Sequence, residues 1–150
     1  MPIVHFHLVE GRHDDAAIGA LLVEASHFYV DTLYPDENPR PIGRARAFAS
    51  FVAPVHWATA GTLIADGGAD APYFTCLVLA GRAPEQLARL LEGFTDLVVR
   101  HLGCERGAVR GQVIPIDPAH WSIGGRVASQ VRGDEIARRA AAGASAGASG

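Results

Sequence analysis

The chain repeats itself, and that constrains its fold more than any other feature. Pro2, Gly11 and Arg12 recur as Pro72, Gly81 and Arg82 at a constant offset of 70 residues, and His56-Trp57 recurs as His120-Trp121 at an offset of 64. Arg46 and Arg110 each precede their tryptophan by 11 residues, and the six-residue difference falls in a proline-rich loop of the first half. Each half should therefore be one supersecondary unit that completes its core only by packing against its twin.

The polarity pattern identifies that unit. From Pro2 to Val9, Val4, Phe6 and Leu8 alternate with Ile3, His5 and His7, the period of a strand, and Glu10-Gly11-Arg12 turns the chain. Between Asp14 and Leu33 the apolar positions Ile18, Leu21, Leu22, Ala25, Phe28 or Tyr29, and Leu33 recur at helical spacing, with Asp14 as the N-cap. Pro35, Asn38, Pro39 and Pro41 then impose a loop. A second strand is expected over 44–52, and a hairpin or turn over 54–61. Gly67, Gly68 and Asp70 mark the next break, after which the pattern restarts. A strand over 72–79 leads to a helix opened by Pro84, whose buried face is Leu87, Leu90, Leu91, Phe94, Val98 and Leu102, and which Gly103 ends. A last strand is expected over 109–116, then a turn segment over 118–125.

These elements predict an α+β fold made of a duplicated β-α-β unit: a four-stranded sheet with two helices on one face. The repeats are expected at 2–66 and 67–136, and the stretch 137–150, which ends in alanine, glycine and serine alone, is expected to be a disordered tail. The second face of the sheet is left to be covered by another subunit.

Composition excludes several function classes. With 49% hydrophobic residues the chain can bury a core. A net charge of -3 without a basic block argues against nucleic acid as a partner. Neither a membrane-spanning run nor a signal-peptide pattern is seen, so a cytoplasmic protein with no membrane partner is expected. Cys76 and Cys104 have no metal-ligand spacing, and His5 and His7 alternate on a strand without clustered carboxylates, so no metal or other cofactor is expected.

The chemistry-bearing residues are a proline and four arginines. Pro2 directly follows Met1 and heads a strand, so removal of Met1 would leave a secondary amine rigidly placed in the fold. An α-amine titrates near pH ~8, and apolar surroundings and nearby arginines both disfavour its protonated form, moving it toward the range where a general base works at neutral pH. Pro72 cannot act in this way, because its nitrogen is an amide. Arg12, Arg46, Arg82 and Arg110 stand at repeated positions beside turns and are candidate clamps for a carboxylate, which points to a small carboxylic acid substrate such as a 2-oxo acid. His27, late on the first helix, is a further candidate catalytic residue.

Pro2-Ile3 and His7-Leu8-Val9-Glu10-Gly11-Arg12 resemble the opening of 4-oxalocrotonate tautomerase. His120-Trp121-Ser122-Ile123-Gly124-Gly125, with Val127-Ala128-Ser129 and Val131-Arg132, is similar to the end of that family's short chains. Since the two regions lie in different halves, the chain resembles two fused short tautomerases, and the likeness spans nearly everything but the tail. The resemblance implies a tautomerase/MIF-like homotrimer with Pro2 as general base. It further implies Arg12 and Arg46 as the catalytic arginines, and Arg82, Arg110 and Trp121 as substrate-binding residues.

The length and duplication are also similar to the cis-3-chloroacrylic acid dehalogenase group, whose matching positions would be Pro2, His27 and Arg82. That group's second paired arginine would fall near Leu79, and its water-activating carboxylate in the Val113-Ile114 stretch, where this chain has neither. The expected activity is keto-enol tautomerisation of a 2-oxo or 2-hydroxy-enoate acid. The alternatives are a dehalogenase, hydratase or decarboxylase with Pro2 as general acid, and a non-catalytic trimeric binding protein.

Overall fold

A computed structural model describes residues 2–147. Strand β1 (Ile3–Val9) leads through α1 (Asp15–Leu33) to β2 (Arg46–Val52), and β5 (Tyr73–Leu79) leads through α2 (Pro84–Leu102) to β6 (Arg110–Ile116). A short hairpin follows each unit, β3 (Ala58–Thr59) with β4 (Thr62–Leu63) in the first and β7 (Ser122–Ile123) with β8 (Arg126–Val127) in the second. The expected strand over 44–52 starts two residues later, because Ile42–Arg44 closes a 3-10 turn first. No described helix is long and apolar enough to cross a membrane.

The sheet order is β2-β1-β5-β6. Within each half the strands are parallel, with Ile3 opposite Arg46 and Tyr73 opposite Arg110. The halves meet through antiparallel pairing of β1 with β5, in which Ile3 faces Leu77 and His7 faces Tyr73. This is the four-stranded sheet and doubled unit that the repeat predicts. Both helices pack on the face that carries Val4, Phe6, Leu8, Phe74, Cys76 and Val78, all essentially inaccessible.

Phe94 of α2 is the centre of that core. Its ring meets Phe28 and Tyr29 of α1 edge-on at centroid distances of 5.1 and 4.9 Å, and Phe6 and Phe74 at 6.2 and 5.8 Å, the geometry that the aromatic quadrupole favours. Tyr29 also ties the helix layer to the seam of the sheet: its hydroxyl donates to Leu77 O at 3.0 Å and lies 3.3 Å from Ile3 O. Burial pushes this phenol well above its ordinary pKa, so it remains a neutral donor.

The opposite sheet face is uncovered in the single chain. His5 and His7 lie there with ring centroids 4.0 Å apart, His5 against Phe48 at 4.3 Å and His7 stacked on Tyr73 at 5.3 Å. Partial burial lowers both imidazole pKa values, and for His5 the neighbouring His7 adds to the effect.

The C-terminal stretch departs from expectation. Instead of a disordered tail from residue 137, α3 (Ala128–Val131) is followed by α4 (Gly133–Gly147). Alanine is the best helix former, Asp134 and Glu135 stand in the first turn where the helix dipole favours acids, and Glu135 lies within 4.0 Å of four arginines, Arg44, Arg82, Arg132 and Arg139. Residues 148–150 lie outside the described part.

Gly111 has no side chain because Phe74 occupies its place: an added Cβ would stand 2.1 Å from the Phe74 ring. Phe74 is fully buried against Phe94 and cannot retreat. Gly111→Ala is expected to destabilise the protein by about 1–3 kcal/mol, read from urea unfolding. Gly107→Ala, where an added Cβ meets nothing within 4 Å, should leave the midpoint nearly unchanged.

Candidate active site

The β1–β5 pairing decides which residues can share a site. Since the two strands run in opposite directions, the start of β1 lies beside the end of β5, and the start of β5 beside the end of β1. Each sheet end therefore receives one proline, the arginine that opens the paired strand, and the turn arginine of the other half.

At one end is Pro2, buried, with its carbonyl accepting the Arg46 N–H at 3.0 Å. The Arg110 N–H makes the equivalent bond to Pro72 O at 3.0 Å at the other end. The correspondence extends to the side chains. Arg46 Nη1 donates to Gly43 O and Ala45 O at 2.8 and 2.7 Å, and Arg110 Nη1 donates to Gly107 O and Val109 O at 2.6 and 3.0 Å. Both guanidiniums are held by the turn before their strand and still face solvent.

Arg82 follows the end of β5 and so lies at the Pro2 end. Its side chain is only 5% exposed. It donates to Leu33 O at the C-terminus of α1, stacks on Tyr34 at 4.8 Å, and stands 3.7 Å from Glu135 of α4. Arg44 covers the same Tyr34 ring at 4.9 Å. Burial, then the charge of Arg139, lowers the Arg82 pKa, while Tyr34 and Glu135 act in the opposite direction. A cavity of about 260 Å³ opens here, lined by Leu33, Tyr34, Pro35, Arg82, Glu135 and Arg139 among others.

Arg12 lies at the end of the sheet away from Pro2. β1 has seven residues, and at roughly 3.3 Å per residue its ends are about 20 Å apart. Pro2 and Arg12 cannot meet within one chain, and Arg12 shares its end with Pro72 and Arg110 instead. The turn arginine that lies at the Pro2 end of the same chain is Arg82 of the other half. His27 is exposed on α1 and makes no hydrogen bond or ion pair with the described residues. Trp121 is half-buried before β7, and its indole N–H is enclosed without a hydrogen-bond partner among the described residues. Met1 lies outside the described residues.

The sequence reading missed Tyr34, Glu135 and Arg139. Tyr34 sits just past the helix end and carries no repeat signal, and Glu135 and Arg139 fall at the edge of a low-complexity stretch. They come together only because α4 folds back over the end of α1.

Residues 72–130 match the tautomerase family model, described as a tautomerase enzyme. No curated protein matches the sequence significantly. Among solved structures, a native fused 4-OT (4-oxalocrotonate tautomerase) is similar over 86% of this chain and 98% of its own, with 25% identity and a TM-score of 0.76. A fused 4-OT solved as a symmetric trimer covers the same shares with 24% identity and a TM-score of 0.74. Pt0534 inactivated by 2-oxo-3-pentynoate gives 19% identity and a TM-score of 0.74 over 85% of this chain and 98% of its own.

Arg82 is the contact that joins α1, Tyr34 and α4. Arg82→Ala should accelerate backbone amide exchange in α4 by at least about tenfold, the equivalent of one charge-assisted hydrogen bond, while β1 and β5 stay protected. Unchanged exchange in α4 would show that Arg44, Arg132 and Arg139 alone hold Glu135.

Proposed function

We propose, from the premise that the chain belongs to the tautomerase superfamily in its fused, double-length form, that it isomerises a small 2-oxo or 2-hydroxy-enoate acid with Pro2 as general base. The observation that carries this reading is the asymmetry between two otherwise matched sheet ends. Both have a proline bonded to the N–H of a strand-opening arginine. Removal of Met1 gives Pro2 a secondary amine, whereas Pro72 is a tertiary amide within the chain.

The reaction needs no exchange of electrons. The prolyl nitrogen accepts the enol O–H proton and returns it to a carbon of the same substrate, so substrate and product are isomers and no cofactor is consumed. Guanidinium groups hold the carboxylate and the developing enolate oxygen. Arg82 supplies positive charge at the Pro2 end from within the chain, and burial together with that charge disfavours the protonated amine. Inactivation of the structurally similar Pt0534 by a 2-oxo acid agrees with a substrate of this class.

The site is completed by assembly. The open sheet face, with Phe48 44% exposed and His5, His7 and Tyr73 half-buried, leaves apolar surface that a neighbouring chain would cover. The similar fused 4-OT structures include trimers, and in a homotrimer a neighbouring chain would supply arginines, such as Arg12, that lie far from Pro2 in their own chain. The exposed Val55, just beyond edge strand β2, is further apolar surface.

Pro2→Ala is expected to lower kcat/KM for ketonisation of phenylenolpyruvate or 2-hydroxymuconate by about 10²–10⁴-fold, with intact mass confirming loss of Met1 in the parent protein. A wild-type rate in this variant would remove Pro2 from the mechanism. Chloride release from cis-3-chloroacrylate should be absent, because Val113 and Ile114 of β6 offer no carboxylate to activate water.

Sedimentation equilibrium should give three chains per particle. Phe48→Asp, which puts a charge on the uncovered sheet face and leaves the core intact, should give monomers; a wild-type protein that is already monomeric would overturn the assembly.

A further inference from the structure

The sheet end opposite Pro2 holds a cluster that the tautomerase reading does not use. His13 from the β1–α1 turn, Asp70 from the link between the halves, and Cys104 just after α2 converge there, with their ligand atoms all within 4.8 Å of one another. His13 Nε2 is 2.9 Å from Asp70 Oδ2, and Cys104 Sγ is 3.5 Å from the same oxygen. The His13 side chain is 7% exposed and that of Asp70 14%. Despite the short distance, His13 Nε2 is not aligned for a hydrogen bond, and it and Asp70 Oδ1 are buried without a hydrogen-bond partner among the described residues. Two enclosed polar atoms left unsatisfied beside one another are costly unless something else binds them. A thiol, an imidazole and a carboxylate form the mixed sulfur, nitrogen and oxygen set suited to a borderline divalent metal.

We propose that His13, Asp70 and Cys104 bind a divalent cation of the zinc class, as three protein ligands with a fourth position open to solvent. Metal bonds of about 2.0–2.3 Å place the ligand atoms of a tetrahedral site about 3.3–3.8 Å apart, so the observed separations need only small side-chain rotations. The open position faces a cavity of about 350 Å³ lined by Arg12, Ala69, Leu102, Gly103 and Glu105 in addition to the three ligands. Arg12 at its rim favours a water or a small carboxylate as the fourth ligand. A role for Cys104 as a free nucleophile is disfavoured, since burial first and Asp70 second push its pKa up to about 12; a bound metal ion is what would remove that proton. The site does not depend on the Pro2 amine, and the two can fail separately.

The test is cobalt(II) titration of the full-length protein, purified without chelator or affinity tag. A thiolate-to-cobalt absorption band should saturate at one ion per chain, and zinc should displace it. Cys104→Ser should abolish the band and Cys76→Ser should keep it. His13→Ala and Asp70→Asn should each weaken binding by more than about tenfold, with circular dichroism confirming that the variants are folded. Pro2→Ala should bind as the parent does. No thiolate band in the parent, or a band that Cys104→Ser leaves intact, would overturn the proposal.

Discussion

The antiparallel pairing of β1 with β5 is the contact on which the rest depends. Each β-α-β unit presents one apolar sheet face and one helix face, too little alone to close a core. Joined at this seam, α1 and α2 lie side by side over one face, and Phe94 fills the space between them against Phe6, Phe28, Tyr29 and Phe74. Tyr29 bridges Ile3 and Leu77, facing residues of the two strands, so the helix layer and the seam hold each other in register.

The same pairing converts a repeat along the sequence into two ends in space. Because the strands oppose, each proline sits near the turn arginine of the other half and far from its own. Two ends with matched backbone contacts thus arise from one duplication, Pro2 with Arg46 at one and Pro72 with Arg110 at the other.

Much of the fold was legible because it rests on periodicity and punctuation. Alternation in β1 and β5, helical spacing in α1 and α2, and Gly103 past the end of α2 are local signals, and the offset of 70 residues makes each half a check on the other. The candidate site could be proposed from residue types, but not its grouping. Pro2, Arg46, Arg82 and Arg110 stand out by recurrence, but which arginine meets which proline depends on strand direction, which recurrence does not encode. His13, Asp70 and Cys104 come from three separate loops with no ligand spacing between them, so no linear motif could announce them. The low-complexity stretch misled in a different way: a run of alanine and glycine reads as tail, whereas the helix it forms is anchored by Glu135 among four arginines.

That anchor separates the two ends further. At the Pro2 end, Arg82 lies under α4, its guanidinium shared between the last carbonyl of α1, the Tyr34 ring and Glu135. At the other end, Arg12 is exposed, and the space that follows the end of α2 is a cavity rather than a stacked aromatic. A buried arginine bound to a carbonyl is poorly able to follow a substrate but well able to hold a fixed positive potential at its end of the sheet. An exposed arginine has the opposite character, screened by water and free to meet an anion in the cavity or on another chain. The duplication supplied the same residue twice, and the helix that covers only one copy gives the two different surroundings.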